Sequence, residues 1–481
     1  MTAKKETAEK KSHDYAALGF KSGIEIHQQL EGKKLFCNCP TEIRKEKPDF
    51  EITRRLRASA GEEGRMDKAA LHEQKKQKYF TYQGYHDITC SVELDEEPPQ
   101  PVNPEALKTA LQVAKMLNCR IVDKIQVMRK TVIDGSNVSG FQRTMLIGIN
   151  GWIEVGGKKF GIDTICLEEE ACQVIERKKD HDIYNLSRLG IPLLEIATAA
   201  DMKTPEEVKD VAAKIGMILR STPNCKRGIG SIRQDVNLSI QGGKRVEIKG
   251  FQELKSIPLV IEHEVERHLK LIKKGEVPGD EVRKAEENMI TTFLRPMPGG
   301  DRMYPETDIP EIVPDSTGIE AVKTIDEKVA EITKEYELSS EIATQIIKKG
   351  IDLATFARKY AKVEAKFIAE TLVNTPKEIK ARFGKDLDVI THADTVLDKL
   401  NSGSIPKSAV FELLSEIAHG RQADFSKYQA IDLGELEHEV KEMIAKNAEA
   451  SVQGLMGLLM AKHRGKIDGK AAMDLIKKHK K

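Results

Sequence analysis

Residues 23–30 read GIEIHQQL, in which apolar Ile24 and Ile26 alternate with Glu25 and His27. A period of two predicts a β-strand that puts both isoleucines on one face and the carboxylate and imidazole on the other. Short β-like runs recur up to about Pro310, among them KIQVMRKTVI, FGIDTICLE and KRVEIKG. Between them, PEALKTALQVAKMLN and TPEEVKDVAAKIGMILRS carry apolar residues at helical spacing. The second of these opens with Thr204 as N-cap, Pro205 at the first helical position and two glutamates at the positive end of the helix dipole. This mixture predicts an α+β region.

After DRMYPETDIPEIVPDSTG, dense in proline and turn residues, strand patterning almost vanishes. From about Thr324 the chain reads as amphipathic helices in a bundle-like array. A second break, NSGSIPKS at 401–408, precedes a last helical unit in which Gly465 and Gly469 bracket a turn. The expected organisation is a solvated leader over 1–18, a β-sheet-containing catalytic domain over 19–315, an all-helical domain over 316–404 and a small helical tail domain over 405–481.

At 481 residues the chain is too long for one core. Its 77 Lys and Arg against 76 Asp and Glu leave a net charge of +1, so any nucleic-acid surface is expected as a local patch. The run FEITRRLR with Arg65 and Lys68 is one such stretch, and a solvated face reads the same way. Seven scattered cysteines without a disulfide framework predict a reducing, cytoplasmic setting. No run of about 18 apolar residues suggests a membrane span. The start MTAKKETAEKKSHD is charged and lacks an apolar centre, unlike a targeting signal.

Three further acidic stretches can join Glu25 and His27. TICLEEEA runs from a strand into Glu168, Glu169 and Glu170; GIPLLEIATAAD places Glu195 at the end of an apolar strand; SIRQDVNLSI places Asp235 among apolar neighbours. Each alone reads as an ordinary solvated or edge residue. Together they put carboxylates in apolar surroundings, where they repel and lose solvation unless a cation neutralises them. Oxygen-rich ligation with one imidazole points to a hard divalent ion, Mg²⁺ where phosphate is also bound.

For the phosphate, RKTVIDGSNVSGFQRT follows a strand and is rich in Gly, Ser and Asn. Gly135 and Gly140 have the spacing of a Walker A loop, but Phe141 stands where that motif requires lysine. Backbone N–H groups and hydroxyls can still bind phosphate there, with Lys130 and Arg143 as cations, and a Gly-rich hairpin connection fits equally well. FCNCP offers Cys37 and Cys39 with only Cys90 nearby and no second CxxC or HxxxH, which favours free thiols over structural zinc.

Together GIEIHQQL, KLFCNCP, ITRRLR, YQGYHDITCSVELDEEPPQPVN, MRKTVIDGSNVSGFQRT, GIPLLEIATA, SIRQDVNLSI, RVEIKGFQEL and RPMPGGDRMYP with ETDIP form an ordered series over the α+β region. With it the chain resembles the E-type subunit of the archaeal glutamyl-tRNA(Gln) amidotransferase, a family related to the B-type subunit of the bacterial and organellar enzyme. TVIDGSN and RMYPETD favour the E type over the B type, and QGLMGLLMAKHRGKIDGKA resembles the family's tail domain. EVRKAEENMITTFLRPMPGG leaves no room for the aspartyl-tRNA-synthetase-like insertion that the E type normally carries.

The resemblance implies a cradle-shaped catalytic domain. It also implies a ligase reaction in which ATP phosphorylates the side-chain carboxylate of Glu misacylated on tRNA(Gln), after which ammonia displaces phosphate. The implied metal ligands are Glu25, His27, Glu169 and Glu195, with Asp235 a further site acid. Lys130 is implied beside the transferring phosphoryl group. Ser136, Asn137, Ser139, Gln142 and Arg143 are candidates for the nucleotide loop, and Glu247 and Lys249 for the pocket wall. The expected cofactors are ATP and Mg²⁺. The implied partners are the asparaginase-like D-type subunit, which supplies ammonia in a hetero-oligomer, and tRNA gripped with the aid of Lys462, Arg464, Lys466 and Lys470. A chain of the B type and a non-catalytic tRNA-binding scaffold are the competing readings.

Overall fold

The computed structural model describes residues 13–58, 60, 64–251, 253–299, 302–428, 433–447, 449–463, 467 and 469–480. Contacts divide the chain into two compact units, Met1–Thr324 and Ile325–Lys481.

The first unit begins with β1 (Lys21–Gln29), β2 (Phe50–Arg54), α1 (Lys68–Gln74), β3 (Tyr79–Gly84), α2 (Pro104–Met116) and β4 (Arg120–Ile121). It continues through β5 (Val127–Thr131), β6 (Phe141–Val155), β7 (Lys158–Glu169), β8 (Gln173–Arg177), β9 (His181–Asn185) and β10 (Pro192–Thr198). Helix α3 (Pro205–Ser221), β11 (Ile232–Ser239), β12 (Val246–Lys249), α4 (Ile257–Lys273), β13 (Glu281–Ala285), β14 (Thr291–Pro296) and β15 (Met303–Pro305) complete it. Among the described residues, eleven strands form one sheet in the order β14-β13-β12-β11-β1-β10-β7-β6-β5-β15, with β4 on β6.

The alternation in GIEIHQQL is realised in β1. Ile24 and Ile26 are each 1% exposed, while Glu25 and His27 emerge on the opposite face. Helices α2 and α3 cover the apolar face, α2 against β6 and β7 and α3 against β1 and β6. Helix α3 starts as the sequence predicts, with Thr204 Oγ1 accepting from the Glu207 N–H at 3.2 Å. The uncovered face is left for polar chemistry.

A second sheet, β2-β3-β9-β8, packs Phe80, Tyr82 and Tyr184 against Val138 and Leu186. It anchors the loop between β5 and β6, because the Tyr184 hydroxyl donates to the Asp134 carbonyl at 2.7 Å. Within that loop Gly135 has φ +89°, and a Cβ there would lie 2.3 Å from Phe80. Glycine is therefore required. A strand follows this loop where a Walker A motif needs a helix.

The α+β unit reaches beyond the expected boundary at 315. Lys115 on α2 donates to the Ser316 and Ile319 carbonyls at 2.8 and 2.9 Å, and Gln112 to Glu320 O at 3.0 Å, so these residues stay with the sheet. The second unit runs through α5 (Ile325–Glu335), α6 (Ser340–Lys348), α7 (Leu353–Lys359), α8 (Ala365–Phe383), α9 (Val389–Asn401), α10 (Ala409–Ala418), α11 (Leu433–Lys446), α12 (Val452–Lys462) and α13 (Gly469–His479).

Helix α10, expected in the tail domain, instead packs Ala409, Val410, Leu413 and Leu414 into the same core as Ile346, Leu372 and Leu397. The break at 401–408 is thus a turn between packed helices. A separate small core of Leu436, Val440, Leu455, Leu459, Ile467 and Ile476 forms the tail. Residues 1–12 of the expected leader lie outside the described residues, as do Arg464, Gly465 and Lys466. Lys462 pairs with Glu439, which offsets part of the basic end. Among the described residues no helix is long and apolar enough to cross a membrane.

Candidate active site

The register of the large sheet builds the site. On one side of β1, Glu25 faces Ala197 and His27 faces Glu195 of β10; on the other, Glu25 faces Asp235 and His27 faces Arg233 of β11. On β7, Glu168 lies opposite Leu193 and so shares this face, and Gln142 on β6 and Lys130 on β5 extend the row. Glu25, His27, Lys130, Gln142, Glu168, Glu195 and Arg233 line a cavity of about 510 Å³, with Ser136 and Asn137 of the β5–β6 loop on its wall, while Asp235 lies outside that lining.

Two acidic groups result. In the first, donor atoms of His27, Glu168 and Glu195 all lie within 4.8 Å of one another; in the second, those of Glu25, Asp235 and Glu247 do. Each has its own lysine. Lys130 Nζ lies 2.7 Å from Glu168 Oε1 and 3.7 Å from Glu195 Oε2. Lys249 Nζ lies 2.5 Å from both Asp235 Oδ2 and Glu247 Oε1. His27 Nε2 is 3.4 Å from Glu195 Oε2, and the Asn237 amide donates to Glu25 Oε1 at 3.1 Å.

The charges are not balanced. Burial and then the charges of Glu247 and Glu195 push the Glu25 pKa up, and burial and Glu195 do the same to Glu168. Glu195 is the exception: despite burial, Lys130 and His27 hold it well below the usual carboxylate range. Burial works to lower the His27 pKa, but its hydrogen bond to Glu195 and the surrounding carboxylates outweigh that and raise it. Clustered carboxylates strained toward protonation are the environment that a divalent cation relieves, and this oxygen-rich donor set fits Mg²⁺.

Several expected site residues lie elsewhere. Glu169 follows Glu168 and points through the sheet, where its carboxylate accepts from the Arg143 backbone N–H at 3.1 Å and pairs with the Arg143 guanidinium at 3.4 Å. Arg143 also donates to Glu306 Oε2 at 2.8 Å and does not line the cavity. Of the two glutamates only Glu168 therefore lines the cavity, and Arg143 lies on the opposite side of the sheet from Gln142. Strand parity decides both, since adjacent residues face opposite sides. The same parity was legible in TICLEE: Ile165 and Leu167 are buried, so Glu168 is on the other face. Ser139 donates to its neighbour Phe141 O at 3.0 Å and is also outside the cavity lining. Glu25 joins Asp235 and Glu247 in place of the expected set with His27.

Sequence reasoning missed the arginines. Arg233 grips Glu170 with two bonds of 2.7 and 3.0 Å, and Arg188 donates to the Ala171 and Cys172 carbonyls. Against burial, Arg233 and Arg188 hold the Glu170 pKa down to about 2. Arg245, Arg295 and Arg302 also line the cavity. An arginine in a sequence reports nothing about which charge it meets, so no local signal marks them.

The cysteines meet a fourth donor that their spacing did not offer. Cys37, Cys39, Cys90 and Glu93 bring their donor atoms within 4.8 Å of one another, because the turn after β3 carries Cys90 and Glu93 back onto FCNCP. Hydrogen bonds from Cys37 and Cys39 pull the Cys90 thiol down, and fully buried Lys34 pairs with Glu93. Three sulfurs and a carboxylate make a donor set that fits tetrahedral zinc. The expected result is zinc in the purified chain by elemental analysis, with Cys37→Ser losing both the metal and several degrees of melting temperature. Metal-free protein whose melting ignores that substitution would restore the free-thiol reading.

The fold and this residue set define a class. The profile of the GatB/GatE catalytic domain matches residues 20–320, and the chain belongs to this family. It is 36% identical to the E-type subunit of glutamyl-tRNA(Gln) amidotransferase from Methanococcus maripaludis, over 97% of this chain and 99% of the relative. The proteins of the same name from Methanocaldococcus jannaschii, at 36%, and Archaeoglobus fulgidus, at 35%, cover the same 97% of the chain and 99% and 98% of their own lengths. The first of these alignments runs over 623 positions, so a long segment of the relative has no counterpart among the 481 residues here. The β13–β14 connection, where the sequence leaves no room for an insertion, is the short stretch 286–290.

Proposed function

We propose that this chain is the component of a tRNA-dependent amidotransferase that phosphorylates the side-chain carboxylate of Glu on Glu-tRNA(Gln) and amidates it with ammonia from a partner. The observation that carries this reading is the pair of acidic groups, each with its own lysine, on the uncovered face of one sheet. The names of the relatives support the tRNA-dependent amide chemistry.

A carboxylate is a poor electrophile, and converting it to an acyl phosphate supplies the missing leaving group. The γ-phosphorus exchanges its bond to ADP for one to a carboxylate oxygen. The ammonia lone pair then attacks the carbonyl carbon, the bond to phosphate breaks with its electron pair, and the nitrogen sheds a proton. Mg²⁺ held by the acidic groups supplies positive charge against the nucleotide phosphates. His27, Glu168 and Glu195 on one side, and Glu25, Asp235 and Glu247 on the other, are the residues that would hold it. Lys130 offsets charge on the moving phosphoryl group, and the loop carrying Ser136 and Asn137, with Gln142, orients the nucleotide. Lys249 keeps the second acidic group compact. The asparaginase-like D-type subunit is the proposed source of ammonia, in a cytoplasmic hetero-oligomer.

A transamidation assay tests this. With Glu-tRNA(Gln), ATP, Mg²⁺ and ammonium the chain is expected to form Gln-tRNA(Gln), and omission of any one is expected to stop it. Product formed without ATP, or from glutamine or asparagine in the absence of a partner, would contradict the scheme.

A further inference from the structure

The cations of the cavity fall into two sets. Lys130, Lys249, Arg188 and Arg233 are each committed to a carboxylate or a carbonyl. Arg245 just before β12, Arg295 in β14 and Arg302 just before β15 line the same cavity, and none of their side chains makes a hydrogen bond or a short ion pair with another described residue. Arg245 is exposed, whereas Arg295 and Arg302 are half-buried. Their own positive charges oppose each other: burial and then the neighbouring Arg295 press the Arg302 pKa down, and the nearest relief comes from the charges of Asp67, Glu168 and Glu195.

Gly299, four residues after Arg295, is held in place. Asp67 is 3% exposed and caps α1 by accepting from the Ala70 N–H at 3.0 Å. Its other oxygen accepts from the Gly299 N–H at 2.8 Å, tying this residue after β14 to the start of α1. Two half-buried guanidiniums with no side-chain partner among the described residues, in a cavity that also holds two acidic groups, form a receptor for an anion. The anion must satisfy the forks on one side and metal-loaded carboxylates on the other. Phosphate does both: its oxygens accept paired N–H bonds from arginine and also ligate hard cations.

We propose that Arg295 and Arg302 form an anion clamp that grips the polyphosphate of the nucleotide. The clamp rests on the phosphoryl-transfer reading above and adds to it the residues that hold the phosphate. It also gives the segment RPMPGGDR a task that acidic ligation leaves unassigned.

Calorimetric titration of inorganic tripolyphosphate with Mg²⁺ into the full chain tests it. Arg302→Gln and Arg295→Gln are each expected to weaken binding about tenfold or more, the loss of a charge-assisted hydrogen-bonding pair. Arg302→Lys is expected to recover part of that loss by keeping the charge without the fork. Melting temperatures are expected to match the parent, and Arg120→Gln, an exposed arginine of β4, is expected to bind as the parent does. Parent-level binding in either glutamine variant overturns the clamp, as does an Arg302→Lys chain that melts normally yet binds no better than Arg302→Gln. No tRNA enters this titration. Weakened tripolyphosphate binding in a chain that never forms Gln-tRNA(Gln) therefore removes the amidation reading and keeps the clamp, and the reverse pattern removes the clamp alone.

Discussion

Glu168→Gln is expected to lower Glu-tRNA(Gln)-dependent ATP hydrolysis about a thousandfold, the order lost when a group that organises charge in a transition state is removed. Glu169→Gln, one residue on, is expected to leave that activity largely intact and to lower the melting temperature. Glu168 is 2% exposed at the cavity floor, bonded to Lys130 and Gln142 and grouped with His27 and Glu195. Its glutamine variant loses a charge and leaves Lys130 leaning on Glu195 alone. Glu169 serves Arg143 behind the sheet, so its replacement disturbs packing and not the cavity. His27→Ala is expected to match Glu168→Gln, with tRNA affinity nearly unchanged in both, since neither side chain is at the surface. Steady-state hydrolysis and tRNA binding measured on the three variants decide it. A dead Glu169→Gln beside an active Glu168→Gln would reverse the assignment.

The second large effect concerns Glu306, whose side chain is fully buried between Arg129 and Arg143. Arg129 donates to its two oxygens at 2.6 and 2.8 Å, and Arg143 adds a bond of 2.8 Å. Glu306→Gln leaves both guanidiniums without their shared carboxylate and is expected to cost about 3–5 kcal/mol of unfolding free energy. The pH dependence follows the same contacts. Burial works to raise the Glu306 pKa, but the bonds from Arg129, from the Asp308 N–H and from Arg143 outweigh it and hold the pKa at about 2. A carboxylate depressed on folding contributes stability that is complete above its unfolded value of 4.5 and is lost as pH falls from there toward 2. About 3 kcal/mol is at stake over that window. Denaturant unfolding of parent and Glu306→Gln at pH 7 and pH 3 checks both claims: the gap between them is expected to narrow in acid. A gap that stays constant would assign the effect to shape and not to charge.

The two expectations differ in how far the chain announced them. The alternation in GIEIHQQL sufficed to put Glu25 and His27 on one face, and SIRQDVNLSI and GIPLLEIATAAD supplied Asp235 and Glu195, whose donor atoms the structure brings beside them. Within TICLEEEA the choice among three glutamates was settled by strand parity, which the apolar pair Ile165 and Leu167 already encoded. Glu306 carried no such mark. Its partners are more than 160 residues away in sequence, and only the antiparallel pairing of β15 with β5 brings it beneath Arg129.

Local pattern determined the strands, the capped helices, the change to an all-helical second half and the presence of carboxylates on polar strand faces. These depend on periodicities of two and 3.6 residues that a short window contains. Tertiary structure alone decided that the acids divide into two groups, that Glu25 joins Asp235 and Glu247, that Cys90 and Glu93 return to FCNCP, and that α10 belongs to the helical core. It also decided which arginines pair with carboxylates among the described residues. Each of these depends on sheet register or on the meeting of distant segments, and both are set by the packing of the whole core, which no stretch of sequence specifies alone.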